Sequence, residues 1–100
     1  MDVEFADDDL RRLYEEPEFR ISGIGPELTK AYRRRVQIIL SATDRRDLYV
    51  LRSNHFEKLK GDREGQHSLR VNDQWRLIVR CEPRDGGGEK VVILDMDDYH

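Results

Sequence analysis

The sequence contains a single cysteine, Cys81, and no apolar run long enough to cross a membrane. One cysteine excludes a disulfide within the chain, which fits a reducing compartment, so a cytoplasmic protein without a membrane segment is predicted. The first residues lack the basic region and apolar stretch of a signal peptide. Aromatic residues are scarce at 8%, yet 37% of the 100 residues are hydrophobic, which suffices for the modest core of one domain.

Recognisable metal and nucleotide motifs are missing as well. The three histidines are widely spaced and the cysteine stands alone, so no paired metal ligands are predicted. Asp95, Asp97 and Asp98 could hold Mg²⁺ together with substrate phosphates, but a frayed acidic terminus explains them more simply. Residues 86–88 are glycines without a following Lys-Ser or Lys-Thr, which indicates a flexible hairpin turn and not a phosphate loop. The sequence therefore predicts neither a metal nor a cofactor.

The net charge of −3 conceals an uneven distribution of charge along the chain. Residues 1–19 and 81–100 are acidic, whereas residues 20–80 carry fourteen lysines and arginines against seven acids, a net of +7. The local field governs contact with phosphate, so a nucleic-acid partner is compatible with an acidic protein. Any single Lys or Arg is nonetheless most simply interpreted as a solvated surface group.

Two helices are predicted in the first half of the chain. Asp7 or Asp8 can cap a helix that runs to about Glu16. Pro26 suits the first position of a second helix, whose apolar residues recur at helical spacing as far as about Ala42. A short helical turn follows within residues 44–51.

The second half of the chain alternates in polarity and predicts strands joined by short turns, hence antiparallel pairing and an α+β fold. A three-residue loop over residues 72–74 pairs Val71 with Trp75 and gathers apolar side chains on one face. The same register places Arg70 opposite Arg76, so that face is either well solvated or binds an anion. The predicted strands, including a short edge strand near the start, are residues 3–6, 68–71, 75–81 and 91–94.

The polar residues of the second half match the requirements of RNA cleavage without a metal. That reaction needs a base for the ribose 2′-hydroxyl, cations for the charged transition state and an acid for the leaving 5′-oxygen. Guanidinium groups suit phosphate, and histidine is the natural acid near neutral pH. Ser68 and His67 are adjacent on a strand and point to opposite faces, so they are not expected to pair as nucleophile and base. The candidate residues are Glu57, Lys60, Arg70, Arg76, Tyr99 and His100.

Three segments resemble the HigB-type toxins of the RelE superfamily, which are also called plasmid-maintenance killer proteins. They are EKLKGDREGQ at 57–66, SLRVNDQWRL at 68–77 and DYH at 98–100. The resemblance implies one toxin domain over residues 1–100, with two N-terminal helices packed on a twisted antiparallel sheet. It also implies a metal-independent endoribonuclease that cuts mRNA on the ribosome. A helix-turn-helix antitoxin of the HigA type would neutralise it, and operator DNA would be contacted only through that antitoxin.

The resemblance also implies roles for individual residues. Lys60 and Arg76 match the cationic positions of the family's site, while Tyr99 and His100 match its terminal pair, for base stacking and proton transfer. Glu57 stands where some relatives have histidine, so either Glu57 or His100 would be the general base. Further candidates for contacts with RNA are Arg63, His67, Arg70 and Asp98.

Two other functions compete with the nuclease hypothesis. A non-catalytic relative would bind RNA or an antitoxin without cutting any message. A DNA-binding repressor is suggested by the consecutive arginines at 33–35, but no helix-turn-helix pattern is visible and the chain is acidic.

Overall fold

The computed structural model describes residues 1–63 and 65–98, in which five strands form one mixed sheet with three α-helices packed against it. The elements are β1 (Asp2–Phe5), α1 (Asp8–Glu15), α2 (Pro26–Ser41), α3 (Arg45–Val50), β2 (Glu57–Lys58), β3 (Gln66–Arg70), β4 (Trp75–Pro83) and β5 (Glu89–Asp98). Short 3-10 turns lie at Arg52–Asn54 and Gly61–Arg63. None of the helices in these ranges has the length and apolarity that a bilayer crossing requires.

Local sequence signals explain where the first helix begins and how it is held. The Asp7 side chain accepts a hydrogen bond from the Leu10 amide at 3.0 Å, so Asp7 is the N-cap of α1. The α2 residue Tyr32 is fully buried, and its hydroxyl donates to the Leu10 carbonyl at 2.7 Å. Burial raises the pKa of the Tyr32 phenol, which therefore stays protonated and keeps donating this bond.

The strands run in the order β1-β5-β4-β3-β2 across the sheet. The three pairs from β2 to β5 are antiparallel, as predicted, but β1 pairs with β5 in parallel. The prediction of an antiparallel sheet is therefore wrong at this edge. Short turns require antiparallel pairing only between strands that follow one another closely, whereas three helices separate β1 from its partner.

The sheet has two unlike faces. The helix face packs against all three helices and supplies the core residues of the sheet, among them Leu69, Leu77, Val79, Val91 and Ile93. Because side chains alternate along a strand, the residues between these belong to the opposite side, which we call the polar face. It is formed by Ser68, Arg70, Arg76, Ile78, Arg80, Asp95 and Asp97.

The structure confirms the α+β class and several details of the prediction. Val71 donates its amide to the Trp75 carbonyl, and Arg70 lies opposite Arg76, so the preferred hairpin register is correct. The short helical turn predicted within residues 44–51 is α3, whereas β5 differs from the prediction because it continues to Asp98 instead of ending near residue 94. A bulge between Ile78 and Val79 shifts the register and allows the β4–β5 ladder to continue beyond it.

Candidate functional site

Arg76 is fixed on the polar face, near the β3–β4 turn. Its neighbour Leu77 faces the core, so the Arg76 side chain emerges on the opposite side of β4. One guanidinium nitrogen, Nη2, donates to Ser68 Oγ at 2.8 Å and also to the main-chain carbonyl of His55. Arg76 is only 8% exposed. The cation is therefore held in one position before any ligand arrives, which is what electrostatic stabilisation of a transition state requires.

The turn that receives Arg76 has an unusual backbone. His55 has φ of +42°, in the left-handed region that residues other than glycine seldom adopt. Asn54, immediately before it, is completely buried, and its side-chain amide donates to the Leu48 carbonyl at 3.1 Å. Its Oδ1 accepts from Arg35 Nη1 at 2.9 Å. Residues 54–55, which we call the arginine-holding turn, thus supply acceptors to two separate guanidinium groups.

A second arginine and a carboxylate share the polar face with Arg76. Arg70 lies directly opposite Arg76 in the β3–β4 ladder and forms an ion pair with the exposed Asp73. Glu57 is exposed and lies opposite Ser68, the same serine that accepts from Arg76. The predicted residues Glu57, Arg70 and Arg76 are therefore brought to one region by strand pairing.

Two further predicted cations lie on the segment between β2 and β3. Lys60 is exposed, and the Leu59 amide donates to the Gln66 carbonyl at 2.9 Å, which closes the segment at its base. Arg63 reaches across to the last strand, with Nη2 3.5 Å from Asp97 Oδ2. The segment thus carries Arg63 to the edge of the polar face while Lys60 remains open to solvent.

Asp97 belongs to this site, although its place near the acidic end of the sequence suggested a frayed terminus. It lies opposite Arg76 within β5, so the interpretation as a frayed terminus is wrong. Burial raises the pKa of the Asp97 carboxyl, and the neighbouring Asp95 raises it further, while Arg63 acts in the opposite direction. The alternation of Asp95, Met96 and Asp97 was the signal for a strand with one wet face.

His67 lies on the other face of the sheet, away from Arg76. Its ring stacks on Phe56 with centroids 4.6 Å apart, and its Nε2 is 3.1 Å from the Tyr49 hydroxyl. The residue is 3% exposed, so no base can stack on it without rearrangement of the fold. Burial lowers the pKa of His67, and the charges of Arg45 and Lys58 lower it further. We therefore leave His67 out of the proposed RNA surface.

The remaining predicted residues lie at the end of the chain. Asp98 is exposed opposite Trp75, and its Oδ2 accepts from Gln74 Nε2 at 2.9 Å, so it contacts the β3–β4 turn. Tyr99 and His100 lie outside the described residues, and their roles stay predictions. Within residues 1–63 and 65–98, no three His, Cys, Asp or Glu side chains are grouped as a metal site would require.

Comparison with known proteins identifies the family. A family model described as the RelE-like toxin of type II toxin-antitoxin systems, HigB, matches residues 3–100. Toxin HigB-1 of Vibrio cholerae serotype O1 (strain ATCC 39315 / El Tor Inaba N16961) is 37% identical over 80 residues, which cover 80% of this chain and 83% of that protein. The solved structure of a YoeB/ParE toxin from Agrobacterium tumefaciens shares the fold, with a TM-score of 0.57, full coverage of both chains and 15% identity. The chain therefore belongs to the HigB-like toxins of the RelE family.

Proposed function

We propose that this toxin is an endoribonuclease that cuts mRNA at the polar face of its sheet. The observation that carries the proposal is the fixed guanidinium of Arg76, which is held by Ser68 and by the arginine-holding turn, with the carboxylate of Glu57 on the residue opposite Ser68. A planar cation in a fixed position matches the charge that builds on a phosphate during attack by the 2′-hydroxyl. Membership of the toxin family supports the same activity.

The proposed reaction moves one proton onto the enzyme and one off it. Either Glu57 or His100 takes the proton of the ribose 2′-hydroxyl, and the resulting oxygen attacks the adjacent phosphorus. Arg76 and Lys60 stabilise the negative charge of the pentacoordinate transition state. The bond to the 5′-oxygen then breaks, and His100 or a neighbouring cation assists that leaving group, which yields a cyclic phosphate and a free 5′-hydroxyl. Tyr99 stacks on a base beside the scissile linkage, and Asp98 lines the RNA path.

The proposed partners follow from the family and from the charge of the chain. A type II toxin implies an antitoxin, for which we propose a helix-turn-helix protein of the HigA type that alone contacts operator DNA. The net charge of −3 weakens attraction to free RNA, so we propose that the ribosome positions the message. The reaction would then take place in the cytoplasm.

Replacement of Arg76 tests the proposed function. We expect Arg76→Ala to relieve growth arrest on induction and to reduce cleavage of transcripts in a primer-extension map by about a hundredfold or more, as for loss of one transition-state donor. Arg76→Lys keeps the charge but loses the fork geometry, so it should recover only part of the activity. Arg80→Ala is the matched control, because it removes the same charge from the same face of β4 further from the turn.

Since Arg76 is buried, each variant is first compared with the parent by its thermal unfolding midpoint and circular dichroism. An Arg76→Ala protein that folds and still cuts at the parental sites and rate would contradict the assignment. If the parent itself binds RNA or an antitoxin but leaves every transcript intact, the chain is a binding module without catalysis.

A further inference from the structure

The three consecutive arginines of α2 have different environments. Arg33 donates to the Leu13 carbonyl at 2.7 Å and thereby ties α2 to the end of α1. Arg34 is exposed to solvent. Arg35 is half-buried and donates to Asn54 Oδ1 at 2.9 Å. Only the third arginine is therefore directed to the arginine-holding turn.

The turn connects Arg35 with the proposed nuclease site. Asn54 accepts from Arg35, and the next residue, His55, accepts from Arg76 through its main-chain carbonyl. Asn54 is itself anchored by its donation to Leu48, so its Oδ1 points in a fixed direction. The orientation of Arg35 is consequently set by the same short segment that sets Arg76.

The contacts of the arginine-holding turn and the β3–β4 ladder bring Arg70 into the neighbourhood of Arg35. Arg35 binds Asn54 and Arg76 binds the next residue, His55, while Arg70 lies directly opposite Arg76. Burial lowers the pKa of Arg35, and among the neighbouring charges Arg70 lowers it more than the adjacent Arg34 does. The acceptor of Arg35 is a neutral amide, and within the described ranges no carboxylate forms an ion pair with it. The partner of Arg70 is Asp73, whose side chain is 97% exposed, and ion pairs of that kind contribute little. Two cations in this arrangement repel one another unless an anion lies between them.

We propose that Arg35 and Arg70 bind a second RNA phosphate, separate from the phosphate held at Arg76. The proposal rests on the proposed function, because it takes the RNA at Arg76 as its starting point. Two guanidinium groups from different elements can each donate paired hydrogen bonds to one phosphate from two directions. Lysine side chains, which are flexible and carry a compact charge, do this less well. Such a contact would fix the path of the strand without reading its sequence.

The phosphate belongs either to the message or to ribosomal RNA, and one pair of variants distinguishes these sources. Arg35→Gln removes the charge at the site, and Arg34→Gln is the matched control, with the same charge loss one residue away on α2. Binding is measured with labelled 2′-O-methyl oligonucleotides, which lack the attacking hydroxyl, lengthened one nucleotide at a time on each side. Co-sedimentation with ribosomes is measured in parallel.

We expect the parent and Arg34→Gln to gain affinity at one step of the lengthening series, and Arg35→Gln to miss that gain. At low salt, Arg35→Gln should bind the longer oligonucleotide about tenfold more weakly than the parent. The slope of log affinity against log salt should be smaller in magnitude by about one for this variant. Arg35→Lys should recover part of that affinity. If oligonucleotide binding is unchanged but ribosome co-sedimentation weakens only in Arg35→Gln, the phosphate is ribosomal and the site stands.

Equal behaviour of Arg35→Gln and Arg34→Gln in both assays would overturn the phosphate site. That result leaves the proposed function intact, because cleavage that depends on Arg76 is scored separately. Conversely, an Arg35-dependent gain in a protein that cuts no RNA would support the phosphate site and contradict the nuclease. Thermal unfolding of each variant excludes loss of the fold as the cause.

Discussion

The environment of a residue decides its role more than its chemical type does, as the arginines and histidines show. Arg33 ties two helices together, whereas Arg76 is held on the polar face of the sheet. The main-chain carbonyl of His55 accepts a hydrogen bond from Arg76, whereas the His67 ring packs in the interior against Phe56. The sequence marked these residues only as cations or titratable groups. Their partners come from distant elements, so periodicity alone could not distinguish them.

The burial of His67 predicts a specific dependence of stability on pH. Its folded-state pKa is lowered, so the ring stays neutral in the folded protein at pH values where the unfolded chain, with a pKa of about 6.5, takes up a proton. Stability is therefore full above about pH 6.5 and falls as the pH is lowered towards the folded-state pKa. We expect the free energy of unfolding in urea to drop between pH of about 7.5 and 5.5.

The control for this prediction is His67→Phe, which keeps an aromatic ring on Phe56 but cannot titrate. Its free energy of unfolding should change less than that of the parent over the same pH range, although loss of the Tyr49 contact lowers it at every pH. Parallel curves for the two proteins would show that His67 is not the titrating group.

At the scale of elements, the N-terminus of α1 offers a clean test of capping. Asp7→Ala removes the acceptor for the Leu10 amide and should lower the free energy of unfolding by about 1 kcal/mol. Asp9→Ala removes an equal charge from the first turn without removing that bond, so its effect should be smaller. Urea unfolding of both variants at neutral pH measures the difference, and equal losses would assign the effect to charge alone.

The elements that the sequence predicted well are those with strong local signals. An acidic cap and a proline mark the starts of α1 and α2, and the hairpin register followed from apolar pairing across its loop. The elements that were missed have weak local signals. β2 is only two exposed residues long, and its existence depends on pairing with β3. The end of β5 carries acidic residues on its solvent-facing side. From the sequence alone such a segment resembles a frayed terminus, because the strand with which it pairs is not known.

The candidate site was predictable only where it follows the ladder. Strand register placed Arg70 opposite Arg76 from sequence alone. The contact between Arg35 and Asn54, in contrast, depends on how α2 packs beside the arginine-holding turn. No pattern within either segment predicts that packing, because Arg35 and Asn54 are both polar residues that could equally well be exposed to solvent.

At the scale of the whole molecule, we expect stability and the proposed activity to depend on opposite faces of one sheet. Leu77→Ala opens a cavity on the helix face, where the side chain is fully buried, and should cost about 2–5 kcal/mol. Arg70→Gln, on the polar face, should change the free energy of unfolding by no more than about 0.5 kcal/mol. Toxicity at equal soluble protein levels should nevertheless fall for Arg70→Gln.

Urea unfolding and a growth assay normalised to soluble protein measure the two properties separately. Leu77→Ala, at permissive temperature, should retain toxicity per folded molecule because it leaves the polar face in place. An Arg70→Gln protein that is less stable than the parent but equally toxic would contradict the expectation that the polar face serves activity and not stability.

The parallel pairing of β1 with β5 joins the first strand of the sheet along the chain to the last. Asp2 pairs with Lys90 and Phe5 with Ile93, so the earliest strand to leave the ribosome waits for one of the latest. Pairing between strands so far apart in the sequence forms slowly, because it must first offset the conformational entropy of the long segment between them. A nascent chain in which the helices and Lys60 have already been synthesised therefore still lacks β5, the strand that pairs with β4 beside Arg76. In the proposed nuclease, the site would be complete only after β5 has been synthesised, so the message being translated would not meet a finished site on its own nascent chain until the domain is almost complete.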